Sequence, residues 1–186
     1  YVTMWGWGVM NQVAIQEAAN IRFPMENFIG VWWSGSENDV IPAGMKANGY
    51  KALAMHNTGM DYPLYDDLKK YLYDTGKASG EHAGTVLYSR GLYAGMLAAE
   101  GIKTAQKLTG KSNVSSGDVR DGLEALEMTE EKMASLGMPN FGPSFKVSCE
   151  SHGGPMVTAI QQWDAKNKTW SLITPFTPGD MEVINR

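Results

Sequence analysis

The first 55 residues alternate between two periodicities, and this alternation constrains the fold more than any other feature. Residues 2–4 form a short apolar run that reads as a strand. Residues 9–20 carry Val9, Val13, Ala14 and Ala18 at helical spacing. Pro24 ends that unit, because proline disfavours helix at the residue before it. Residues 28–32 read as the next strand. Residues 38–47 read as a second helix, stopped by Asn48-Gly49. Residues 50–55 read as a third strand. Strand, helix, strand, helix, strand implies a parallel sheet with right-handed crossovers, so the fold class is α/β.

The pattern then lengthens. Pro63 suits a first helical turn, and Leu64, Leu68 and Leu72 recur every four residues. Residues 85–108 form the longest helical pattern. Leu87, Gly91, Ala94, Gly95, Ala98, Ile102 and Ala105 line one side of it, which is expected to be buried because small residues admit a close neighbour. Ser116 is expected to cap a helix over residues 117–126, and Thr129 to start a further short one. Residues 145–149, 156–164 and 169–173 read as strands, with a hairpin turn at 164–168.

Composition bounds the partners. The chain is 43% apolar and 19% charged, which suits a folded protein over a disordered one. Its net charge is -4 and its pI about 5.4, and nucleic acid needs a basic surface instead. No apolar run reaches the 18 or so residues that span a bilayer. Tyr1 opens inside a strand without an initiator methionine, so a longer chain with its targeting sequence upstream is expected.

Few residues suggest chemistry. Cys149 is the only cysteine and lies three before His152. That pair alone makes neither a zinc site, which wants four ligands, nor a complete nucleophile arrangement. No catalytic residue, metal or cofactor is expected. Cys149 is expected to be buried or bonded to a cysteine outside these residues. Gly6-Trp7-Gly8 lacks the third glycine of a dinucleotide fingerprint. Glu37, Asp39 and Asp66-Asp67 read as helix-start or solvated residues. By contrast, four of the six tryptophans fall in two short stretches, Trp5-Gly6-Trp7 and Trp32-Trp33-Ser34. Each stretch lies where a strand runs out into a turn. In open α/β sheets the ligand crevice lies beyond the carboxyl ends of the strands. Indoles clasp flat or apolar ligands, so a binding cleft is one reading and core packing the other.

Several segments, in order, resemble the C-terminal half of type I periplasmic substrate-binding proteins of the branched-chain amino acid (Leu/Ile/Val) ABC-transporter family. They are Val2-Thr-Met-Trp-Gly-Trp with the helix after it, Phe28-Ile-Gly-Val-Trp-Trp, and Asn48-Gly-Tyr-Lys-Ala. Leu87-Tyr-Ser-Arg-Gly-Leu-Tyr-Ala-Gly-Met resembles the family's crossover helix, and Ile160-Gln-Gln-Trp-Asp-Ala-Lys-Asn-Lys-Thr-Trp its late hairpin.

The resemblance implies an incomplete two-lobe fold. Residues 1–80 would be a second-lobe α/β segment and 81–140 crossover helices of the first lobe. Residues 141–174 would return to the second lobe with a hairpin, and 175–186 would be a C-terminal crossing segment. It implies a non-enzymatic periplasmic receptor. Such a receptor binds a small amino-acid-like or aromatic or apolar ligand between lobes and delivers it to an ABC permease. Association with the missing N-terminal part or another copy is expected. The resemblance places Trp5, Gly6 and Trp7 at one ligand-contact turn. At the other, where amino-acid binders place an acid, stand Trp32, Trp33 and Ser34, with Glu37 farther along. One of Trp32 and Trp33 is expected to pack inside and the other to face the cleft. A ligand-sensing regulatory domain of the same fold and, more remotely, a hydrolase fragment using Cys149 are the alternatives.

Overall fold

Val2 pairs with Phe28 and Met4 with Gly30 in parallel register, and Ile29 pairs with Lys51 the same way. These pairs come from a computed structural model that describes residues 1–154 and 156–179. In chain order its elements are β1 (Val2–Met4), α1 (Val9–Asn20), β2 (Phe28–Gly30), α2 (Glu37–Val40), β3 (Lys51–Ala54) and α3 (Pro63–Leu68). They continue with α4 (Val86–Thr109), α5 (Ser116–Glu124), β4 (Glu127–Met128) and α6 (Glu130–Ser135). The last are β5 (Phe145–Lys146), β6 (Val157–Asp164), β7 (Thr169–Leu172) and β8 (Thr177–Pro178).

The main sheet has the order β1-β2-β3-β6-β7, with β8 also on β6. The expected parallel run holds for three strands. β6 is antiparallel to β3 and β7 antiparallel to β6, as a hairpin dictates. Asp164 builds the hairpin turn by accepting the backbone N–H groups of Lys166 and Asn167 at 2.9 and 3.0 Å.

The chain divides into two compact units. The first holds Tyr1–Gly59, Gly84–Leu87 and the chain from Val157 onward. The second holds Met60–Ala83 and Tyr88–Met156. These units divide the chain at other places than the expected lobe boundaries at 80 and 141. Residues 60–83 join the second unit because the Leu64 N–H donates to the Gly137 carbonyl at 3.1 Å. Tyr62 also meets Phe141 edge-on at 5.4 Å. Residues 141–156 stay there because β5 pairs with β4. Of the expected crossing segment 175–186, the part 180–186 lies outside the described residues.

The first unit's core gathers Ile15, Phe28, Val40, Tyr50, Ala52, Trp163 and Trp170. Trp163 and Trp170 are register partners across the hairpin, so these two tryptophans are packing residues. On α1 the buried face is Asn11, Ile15 and Ala19, whereas the expected Val9 and Val13 are exposed. Asn11 on that stripe holds the Trp33 carbonyl and Asp39, so this face turns inward, and a helix can bury only one stripe.

In the second unit Met96 and Leu97 of α4, Leu136 after α6 and Phe145 of β5 pack against Leu126, Met128 and Met133. The small residues of α4 are used differently from the expectation. Gly101 and Ala105 face Gly122 of α5, where an added Cβ would lie 2.4 Å from the Gly101 carbonyl oxygen. Gly91, Ala94, Gly95, Ala98 and Ile102 are exposed, and Leu87, in the first unit, is exposed too. No described residue lies within 4 Å of a Cβ added at Gly91 or Gly95.

Two further elements end earlier than their sequence suggests. β2 stops at Gly30 and residues 32–34 form a 3-10 turn. The expected helix 38–47 is α2 followed by a 3-10 stretch broken at Gly44, whose φ of 59° is outside the helical region. The cap before α5 is Ser115, one residue before the expected Ser116.

Candidate functional site

Because β1 and β2 are adjacent and parallel, the turns after them emerge side by side at the sheet's carboxyl end. Trp5 and Trp7 follow β1, and Trp32 and Trp33 follow β2. Gly8 then turns the chain into α1 with φ 59°, a conformation that disfavours a side chain. Trp33 joins the two turns. Its ring centroid lies 6.2 Å from that of Trp7, tilted by 48°, and 4.8 Å from that of Trp32, tilted by 53°. Trp5 is 78% exposed, Trp7 67% and Trp33 50%. Trp32 is half-buried. Three indoles left largely in water at one sheet end form an apolar surface of the kind that marks an interaction site.

A buried polar network holds this surface from below. Asn11 Nδ2 donates to the Trp33 carbonyl and to Asp39 Oδ1, both at 2.9 Å. The Ser34 hydroxyl lies 2.9 Å from the Gly6 carbonyl and 3.1 Å from Asn11 Oδ1, with its single proton between two acceptors. Asp39 Oδ2 accepts the Ser36 N–H at 2.9 Å and the Ser36 hydroxyl at 2.7 Å, closing a capping box on α2. The Tyr50 hydroxyl donates to the Ser34 carbonyl at 2.8 Å, and burial pushes that phenol well above its usual range. Gly30 makes the arrangement possible. A Cβ there would lie 2.1 Å from the Tyr50 hydroxyl and 2.7 Å from Ser34 Cβ.

The expected site residues therefore separate. Trp5, Trp7, Trp32 and Trp33 share one end of the sheet. The expectation that one of Trp32 and Trp33 packs inside rested on strand alternation, but both sit in a turn, half-buried and exposed. Gly6 is half-buried, and its carbonyl serves Ser34. Ser34 is expected as a cleft hydrogen-bonding group, but it is fully buried and its hydroxyl and carbonyl are engaged within the protein. Glu37 is half-buried and accepts the Val86 N–H with both oxygens, at 3.3 and 3.1 Å. Burial raises its carboxyl above the ordinary value, against the lowering effect of its own and the Val86 N–H, and nearby Asp39 adds to the rise. Asn11 escaped notice in the sequence. Its signal is its position heading the stripe Asn11, Ile15, Ala19, where a polar residue needs a buried partner.

Elsewhere the chemistry is sparse. Cys149 is exposed, contrary to the buried thiol, because it sits in the loop after β5. His152 Nε2 lies 3.3 Å from Glu124 Oε1, so the histidine is engaged away from a nucleophile role. Among the described residues no group of three or more His, Cys, Asp or Glu side chains gathers as a metal site. No described helix is long and apolar enough to cross a membrane.

No protein-family model and no curated protein matches the chain. Solved structures do. One from the Pseudomonas fluorescens group, described as an ABC transporter permease, is 34% identical with a TM-score of 0.88, over 100% of this chain and 45% of that one. A branched-chain amino acid ABC transporter protein from Thermus thermophilus with bound valine is 17% identical, with a TM-score of 0.73 over 96% of this chain and 46% of that one. A possible leucine/isoleucine/valine-binding protein from Rhodopirellula baltica is 16% identical, with a TM-score of 0.66 over 93% and 42%. The chain thus spans somewhat under half the length of the structures it matches. It has the mixed α/β fold of type I periplasmic binding proteins of branched-chain amino acid ABC transporters, a group of transport receptors and not enzymes.

Proposed function

We propose that this chain, which has the type I periplasmic-binding-protein fold of branched-chain amino acid ABC transporters, is part of an extracytoplasmic solute receptor that serves an ABC permease. In this reading the protein performs no chemical turnover. The chain contributes one wall of the ligand site, formed by Trp5, Trp7, Trp32 and Trp33. The observation that carries the reading is the Trp7–Trp33 contact at the carboxyl ends of two adjacent parallel strands. That is where an open α/β sheet places its ligands. Ser34 and Asn11 support the wall from beneath and do not touch the ligand. Glu37 fastens the start of α4 to α2. The fold resemblance supports the receptor role, and the exposed indoles support the place of contact.

The test is a thermal-shift and calorimetric screen of the full-length protein against small organic solutes, followed by uptake in cells with and without its gene. The reading predicts saturable one-to-one binding of at least one solute and loss of that solute's uptake in the deletion strain. Binding of no solute in a broad screen, or uptake unchanged by the deletion, would refute it.

A further inference from the structure

We infer, resting on the receptor reading above, that the part of the ligand received by this wall is a planar aromatic ring without an ammonium group beside it. Three observations lead there. First, the indoles touch one another. Their centroid separations of 4.8 and 6.2 Å fall within the roughly 4.5–7 Å at which aromatic rings contact each other directly. Trp7, Trp32 and Trp33 therefore make one continuous apolar surface. A quaternary ammonium over a ring face at so exposed a site gains only a small attraction, whereas a planar ring covers apolar area of the indoles.

Second, the nearby carboxylates already hold donors. Asp39 takes Asn11 through one oxygen and Ser36 through the other, and it is buried. Glu37 takes the Val86 N–H through both oxygens. An α-ammonium group arriving at this wall would lose hydration and would find Asp39 buried and both carboxylates already turned to other donors, so an ion pair here would not repay the desolvation. Third, the tilts of 48° and 53° leave ring faces and edges turned in different directions. A planar ring stacked on one indole face then meets the next indole at the same tilt of 48° or 53°, so it covers apolar area on both.

The proposal is tested by calorimetry on the full-length protein with benzoate, benzamide, L-phenylalanine, L-leucine and glycine betaine as probes. It predicts that benzoate or benzamide binds tightest, at least tenfold tighter than L-leucine and glycine betaine, and that L-phenylalanine binds more weakly than the better of the two. Trp33→Ala should weaken the ring probe at least tenfold. L-leucine or glycine betaine as the tightest probe overturns the ring proposal and leaves the receptor reading standing. If none of the five binds while another solute from the broad screen does, that solute decides. A ring without an ammonium group upholds the proposal, and any other solute overturns it. Binding of no solute at all removes both.

Discussion

Asn11 and Asp39 are joined by a 2.9 Å hydrogen bond between two buried side chains, and this bond ties the start of α1 to the start of α2. The same Asn11 amide holds the Trp33 carbonyl, so the pair sets where the aromatic wall stands. Removing it in Asn11→Ala leaves a buried carboxylate and a carbonyl short of donors. Such a loss costs about 1–3 kcal/mol. Denaturant unfolding should show that drop, and the circular-dichroism couplet of the contacting indoles should weaken. Asn11→Asp should be worse, and increasingly so as pH rises, because it sets a second carboxylate against a buried one. An unchanged couplet in Asn11→Ala would show that the network does not position the rings.

Gly30 and Gly95 make opposite predictions for the same change. Gly30→Ala forces a Cβ against the Tyr50 hydroxyl and Ser34, and overpacking of this kind costs about 1–3 kcal/mol. Gly95→Ala meets open space within a long helix and should stabilise by about 0.5–1 kcal/mol. Thermal unfolding measures both. A Gly95→Ala variant of the full-length protein that loses stability would mean another segment or another copy lies on that face of α4.

Glu37 gives a pH dependence. Its carboxyl is raised above the ordinary 4.5, chiefly by burial. The folded protein therefore holds the proton more tightly than the unfolded chain. The associated stability is fully present below the ordinary value and is lost as pH rises through the raised one. Glu37→Gln keeps an oxygen for the Val86 N–H and removes the titration. Its unfolding free energy should fall less than the parent's as pH rises above 4.5. Parallel pH profiles of parent and variant would rule this out.

Cys149 is exposed in a loop, so a thiol reagent should label it in the native protein within the mixing time of an ordinary assay. Labelling only after denaturation would show that the cysteine is covered or bonded in the full-length protein.

The order of elements was legible from periodicity because Val2–Met4, Val9–Asn20 and Lys51–Ala54 each follow a single period. The ends were harder. Val31-Trp32-Trp33 continues the apolar run of β2, yet the Ser34 N–H turns back onto the Val31 carbonyl at 2.8 Å and ends the strand. Composition cannot reveal such a turn. The tryptophans were legible as a cluster at turns, while Ser34 reads in sequence as a ligand-contact hydroxyl and is buried, with Gly30 leaving room for its Cβ. The face of α1 was misread because Asn11 counts as polar in any periodicity, although its partners Asp39 and Ser34 make it a core residue. The exposed stripe on α4 follows from which helix α5 selects. Gly122 fits Gly101 and Ala105, which turns Gly91 and Gly95 outward.

The central claim is that the indoles after β1 and β2 receive the ligand. Calorimetry on full-length Trp7→Ala and Trp33→Ala, using the tightest-binding solute of the screen, tests it most directly. Truncating an aromatic anchor of a binding site costs ~2 kcal/mol or more, so each variant should bind at least about tenfold more weakly. Both side chains are at least half exposed, so the unfolding free energy should move by only about 0.5 kcal/mol. Parent-like affinity in both variants, or loss of folding in both, would contradict the claim.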